Sequence, residues 1–97
     1  MRYEISFFAD AVNDLRFLSA NVRAKILDAI EQHLRYEPEK KSKSRIKRLK
    51  GLSSPQYRLR VDEYRVYYDV NDDTVEIIAV ILKEQSAAWL EREGVKE

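Results

Sequence analysis

Tyr57-Arg58-Leu59-Arg60-Val61-Asp62-Glu63-Tyr64-Arg65-Val66-Tyr67-Tyr68-Asp69-Val70 carries the strongest periodicity in the chain. Tyr57, Leu59 and Val61 alternate with Arg58 and Arg60. After two acidic residues, Tyr64, Val66, Tyr68 and Val70 alternate with Arg65, Tyr67 and Asp69. Period-two alternation of β-branched and aromatic residues on both sides of a two-residue break specifies a β-hairpin. With Asp62-Glu63 as its loop, Val61 opposes Tyr64, Arg60 opposes Arg65, Leu59 opposes Val66 and Arg58 opposes Tyr67. That register sends Tyr57, Leu59, Val61, Tyr64, Val66 and Tyr68 to a face that helices can cover. The other face receives Arg58, Arg60, Arg65 and Tyr67.

Downstream, a turn around Asn71 to Thr74 leads into Val75, Ile77, Ala79 and Ile81, with Ile78, Val80 and Leu82 on the alternate parity. A strand apolar on both faces belongs in the middle of a sheet. Glu84 to Glu93 follows, with Ala87, Ala88, Trp89 and Leu90 among charges, and reads as a short final helix. Upstream, Arg2 to Phe8 reads as a first strand. Ala11, Val12, Leu15 and Leu18 then fall near helical spacing. After a break at Ala20-Asn21, Val22, Ile26, Ala29, Ile30, His33 and Leu34 make a second helical stripe that stops before Pro38. A short connection makes the two helices a hairpin. Glu39 to Lys50, EKKSKSRIKRLK, is a basic stretch expected to hold a short helical turn at most. Gly51 closes it. The order is β-α-α-β-β-β-α, an α+β fold with a helical hairpin packed on a twisted antiparallel sheet.

The whole 97-residue chain reads as one domain. It is 44% hydrophobic and 36% charged, so its apolar core is small, and with no cysteine it has neither disulfides nor thiolate metal sites. It has no bilayer-length apolar run and no signal-peptide layout at MRYEISFFAD, so a cytoplasmic location away from membranes is expected. The net charge of +1 hides a strong polarity. Between Arg35 and Arg65 there are 11 Lys/Arg against 4 Asp/Glu, a net +7, while the rest of the chain carries −6. One positive surface on an otherwise negative protein suits a polyanion.

The hairpin gives that surface chemical content. Arg60 opposite Arg65 is a like-charge pair, destabilising by about 0.2–1 kcal/mol. A phosphate would compensate it, because guanidinium groups are planar paired donors that stay charged, and Tyr67 beside them could stack on a base. The alternative is that the arginines pair with Asp62, Glu63, Asp69 or Glu76. His33 lies alone on a helical stripe and reads as a packed residue at the edge of the core. Asp72-Asp73 reads as a turn. Glycine-rich nucleotide loops, HExxH and GxSxG are absent from the sequence.

The run from Leu49-Lys50-Gly51 through Tyr57-Arg58-Leu59-Arg60 to Tyr64-Arg65-Val66, followed by VEIIAVILKEQSAAWL, resembles the RelE/ParE superfamily of type II toxin–antitoxin systems. The resemblance spans most of the chain. It implies a toxin held in check by a cognate antitoxin protein, and operator DNA reached through that complex. In the RelE branch it implies an mRNA interferase that acts with the ribosome and mRNA, an endoribonuclease that inhibits translation. There the 2′-hydroxyl attacks the neighbouring phosphate, with no cofactor and no metal. By position, Arg58, Arg60, Arg65 and Lys83 take catalytic places. Trp89 takes a substrate-stacking one, and the hairpin face and the basic stretch add Tyr67, Lys47, Arg48 and Lys50 as substrate-binding candidates. Arginine at 60 is a poor base and Trp89 cannot titrate, so acid–base work falls to Lys83, to Tyr67 or to the ribosome. The ParE branch implies instead a DNA gyrase poison that acts by binding. A third reading is a catalytically impaired relative that serves as a binding module.

Overall fold

The computed structural model describes all residues from Met1 to Glu97, and its central hairpin has the register expected from alternation. Strands β4 (Tyr57–Val61) and β5 (Tyr64–Asn71) pair with Tyr57 opposite Tyr68, Arg58 opposite Tyr67, Leu59 opposite Val66, Arg60 opposite Arg65 and Val61 opposite Tyr64. Asp62 takes the left-handed conformation that so tight a loop demands (φ 51°), and Asp72 does the same in the next turn (φ 57°). Strand β6 (Thr74–Leu82) lies between β5 and β1 (Glu4–Phe7), as expected for a strand apolar on both faces.

The element order agrees with the sequence reading, and three details depart from it. First, β1 pairs with β6 in parallel, Ile5 opposite Val75 and Phe7 opposite Ile77, so the sheet is antiparallel except at this edge. Second, the basic stretch holds a strand and not a helical turn. β2 (Ile46–Arg48) adds to β4 with Ile46 opposite Leu59, and the sheet order is β1-β6-β5-β4-β2. Ile46 is 4% exposed within the core, and Ser42 Oγ accepts from the amides of Arg45 and Ile46 at 2.9 and 3.1 Å, which fixes the approach to the strand. Third, β3 (Leu52–Ser54) and β7 (Val95–Lys96) pair as a small second sheet beyond the final helix α3 (Lys83–Glu93).

Helices α1 (Ala9–Arg16) and α2 (Ala20–Leu34) cover one face of the main sheet. The break between them falls at Phe17–Ser19, two to three residues earlier than the stripes suggest, because Ser19 caps α2. Its Oγ accepts from the Val22 amide at 3.3 Å. Ala11, Leu15, Ile26, Ile30 and Leu34 pack on Leu59, Val66, Tyr68, Val75, Ile77 and Val80. Tyr68 is fully buried and its hydroxyl donates to Pro38 O at 2.6 Å; burial pushes its pKa upward.

A β-bulge in β6 sets which side chains reach the opposite face. Tyr67 opposes Ala79 while Tyr68 opposes Ile77, which leaves Ile78 as the extra residue. The bulge reverses the phase of the strand. Val75 and Ile77 are in the core before it and Val80 after it. Ala79 and Ile81, expected on one parity with Val75, instead share a face with Tyr67 and Arg65. Asp14 of α1 secures this point by accepting from the Val80 amide at 2.9 Å. Burial raises the pKa of that carboxyl, against the lowering effect of the same hydrogen bond.

Candidate nucleic-acid interface

The hairpin register fixes one face bearing Lys47, Arg58, Arg60 and Arg65, since Lys47 opposes Arg58 across β2 and β4. None of the three arginines forms an ion pair. The salt bridges of the chain are Lys25–Asp62, Arg35–Glu31, Lys40–Glu37 and Arg92–Glu93. Asp69, one of the carboxylates that could have neutralised them, accepts instead from Ser54 Oγ at 2.6 Å and from the Gln56 amide at 2.7 Å. Asp62 pairs with Lys25.

The three arginines differ in burial. Arg60 is exposed, and Arg58 is half-buried with its Nε shielded from solvent and without a hydrogen-bond partner. Arg65, which its place on the face away from α1 and α2 would by itself leave in solvent, is only 6% exposed. Its guanidinium donates to the carbonyls of Asp62 and Tyr64, both at 2.9 Å, and so lies back against its own turn. Burial, followed by the charges of Arg58 and Arg60, lowers its pKa. The mutual repulsion marks the three groups as one cluster.

Tyr67 is not free to stack on a base. Its ring is 2% exposed and stacks on Trp89 of α3, centroids 5.0 Å apart and planes 22° apart. The aromatic platform of this face is therefore occupied by the chain itself, because α3 folds back over the sheet on the side away from α1 and α2. Trp89 is half-buried and anchors that helix.

Lys83, which strict alternation from Ile81 alone would send toward the helix-covered face, is the exposed first residue of α3, and its amide donates to Glu63 O at 2.7 Å. Its side chain shares a cleft with Glu63 and Glu84 at the turn end of the hairpin. Once the bulge is counted, position 83 falls on the parity of Ile81, which opposes Arg65. Arg48 departs from the expected interface. It opposes Tyr57, on the core side of the sheet, where its guanidinium lies over the Tyr57 ring at 5.3 Å and donates to Gln56 O at 2.8 Å. Lys47 is exposed beside Arg58, and Lys50 is exposed in the turn before Gly51, away from the paired strands. Sequence reasoning missed Asp14, whose polar side chain on an amphipathic helix carries no signal that it will meet a bulge 66 residues away.

The face therefore carries guanidinium groups without carboxylate partners, one of them with a shielded N–H that has no acceptor. Comparison with known proteins places the fold. A family model described as the ParE toxin of the type II toxin–antitoxin system, parDE, matches residues 5–87. The solved archaeal RelE–RelB complex from Pyrococcus horikoshii OT3 is similar over 86% of this chain and 97% of its own, with 28% identity and a TM-score of 0.69. The RelB–RelE antitoxin–toxin complex from Methanococcus jannaschii is similar over 87% and 96%, with 26% identity and a TM-score of 0.65. The toxin–antitoxin complex RelBE2 from Mycobacterium tuberculosis is similar over 84% and 92%, with 25% identity and a TM-score of 0.69. No curated protein matches the chain. No helix is long and apolar enough to cross a membrane. The hairpin, the bulged central strand and the family match over most of its length make this chain a member of the ParE toxin family, within the RelE/ParE superfamily of type II toxin–antitoxin toxins.

Proposed function

We propose that the chain is an mRNA interferase toxin that cleaves messenger RNA on the ribosome and is silenced by a cognate antitoxin. The observation that carries this reading is the absence of any carboxylate partner for Arg58, Arg60 and Arg65, together with the unsatisfied Nε of Arg58. In the reaction, the 2′-oxygen forms a bond to phosphorus as the bond to the 5′-oxygen breaks. Negative charge concentrates on the phosphorane, where fixed guanidinium donors stabilise it more than they stabilise the starting diester. Arg58 and Arg60 meet the non-bridging oxygens. Arg65, held by the carbonyls of Asp62 and Tyr64, adds charge from beneath. Lys83 gives a proton to the departing 5′-oxygen, and the 2′-hydroxyl proton passes to a ribosomal group or to water, since Tyr67 is sealed under Trp89. The relatives solved with RelB support an antitoxin partner for this chain.

A purified translation system tests this. Added chain should cut transcripts only when ribosomes engage them, and Arg58→Ala or Arg60→Ala should slow cutting by roughly 100-fold or more, the scale of losing one charge-stabilising donor. Uncut transcripts at saturating chain would exclude the reading. The family match and the sealing of Tyr67 under Trp89, which takes one acid–base candidate out of reach, favour one alternative, a gyrase inhibitor that acts by binding. Loss of supercoiling activity with intact messages would establish that alternative.

A further inference from the structure

Three polar grooves continue from the arginine face around the β2 edge of the sheet. The first, of about 210 Å³, joins Arg60 to Arg45 and Ser44. The second, about 260 Å³, keeps both arginines and reaches His33 on α2. The third, about 350 Å³, keeps Arg45 and His33 and ends at Tyr36. Arg45 lines all three.

The charges along this path are largely settled except for those two arginines. Asp62 is paired with Lys25 and Glu37 with Lys40, leaving Asp28 as the carboxylate without a partner. Arg45 and Arg60 are exposed and form no ion pair. His33 feels Arg45 directly: burial, then the Arg45 charge, lowers its pKa. At the far end Tyr36 is 61% exposed, a large aromatic outside the core. A basic groove that leads to an exposed aromatic ring is the arrangement that tracks a single-stranded backbone and stacks a base.

We infer that a single strand of RNA leaves the Arg58–Arg60–Arg65 face at Arg60, crosses Arg45 phosphate by phosphate, and stacks a base on Tyr36. The path takes over the stacking role that Tyr67 cannot fill. It rests on the reading of the arginine face as an RNA site and extends that site to α2. The grooves are lined mainly by polar side chains, which favours a solvated backbone over an amphipathic helix.

Fluorescence anisotropy with the full chain and a labelled single-stranded RNA of about a dozen nucleotides, run across a salt series, tests the path. Arg45→Ala should weaken binding and reduce the slope of log affinity against log salt by roughly 0.7, the loss of one phosphate contact. Tyr36→Ala should weaken binding roughly 5- to 150-fold with the slope unchanged. Both side chains are exposed, so both variants keep the fold. If Arg60→Ala weakens binding while Arg45→Ala and Tyr36→Ala do not, the groove path is wrong and the arginine face stands. If all three bind RNA like the parent, both the path and the face are wrong. Should the two groove variants lose a polyglutamate peptide but keep RNA, the groove is a seat for acidic protein and the inference fails.

Discussion

Arg60 and Arg65 stand opposite each other across the β4–β5 hairpin without an ion pair, and two carboxylates of the same hairpin, Asp62 and Asp69, are engaged elsewhere. Like charges facing each other across a sheet cost stability. Arg60→Ala is expected to stabilise the fold by about 0.2–1 kcal/mol through relief of the cross-strand repulsion, while it weakens RNA binding. Urea unfolding of the two proteins measures the first effect. A destabilised variant would mean that Arg60 has a structural partner.

Trp89 is the only tryptophan, and its stacking on Tyr67 joins α3 to the sheet. Trp89→Ala should cost roughly 1–3 kcal/mol, part from lost burial and about 0.5–1.5 kcal/mol from the aromatic pair, whereas Trp89→Phe should lose less than half as much. It should also open the Tyr67 ring to solvent, which solvent-perturbation difference spectra of tyrosine absorbance can detect. Equal costs for the two substitutions would show that stacking contributes nothing.

The contact from Asp14 to the Val80 amide holds the bulge that turns Ile81 and Lys83 to the arginine side. Asp14→Ala leaves that amide without its partner and should destabilise by about 1–3 kcal/mol. Asp14→Asn keeps an acceptor and removes a charge that burial disfavours, so its stability at neutral pH should match or exceed the parent's. The sign with pH follows from the raised pKa. The native carboxyl binds its proton at a pH where the unfolded one has already lost it, so this group adds stability at low pH that is lost as pH rises through its native value.

His33 has the opposite linkage. Its pKa lies below the ordinary value when folded, so on acidification the unfolded chain takes up the proton first, and stability present above about pH 6.5 is lost as the pH falls toward the folded value. His33→Gln should therefore flatten the fall in stability between about pH 7 and pH 5, followed by urea midpoints. An unchanged slope would place that fall on other groups.

The strands with strict alternation were legible in the sequence down to the facing pairs. A period-two pattern across a two-residue break allows a single register, and Arg60 opposite Arg65 follows from it. Three features were not legible, because alternation carries no signal of their causes. Ile46 to Arg48 is too short to show a period, and it becomes a strand only because Leu59 offers an edge and the core accepts Ile46. The run Ile77 to Leu82 is apolar at every position, so nothing in it marks Ile78 as the bulged residue. The burial of Arg65 and Tyr67 comes from the turn carbonyls and from Trp89, contacts invisible to alternation. A charge pattern gave the polarity of the surface, but not which basic residues share a face. Arg48 illustrates this, since it stacks on Tyr57 on the core side.

Mapping transcript 5′ ends in cells, after induction of the chain without its antitoxin, tests the central claim most directly. Attack by the 2′-hydroxyl leaves a 5′-hydroxyl on the downstream fragment. The account predicts new 5′-hydroxyl ends within translated frames, absent from cells that express Arg58→Ala or Arg60→Ala at equal level. Growth arrest with intact transcripts, or cleavage that persists undiminished in both variants, would contradict it.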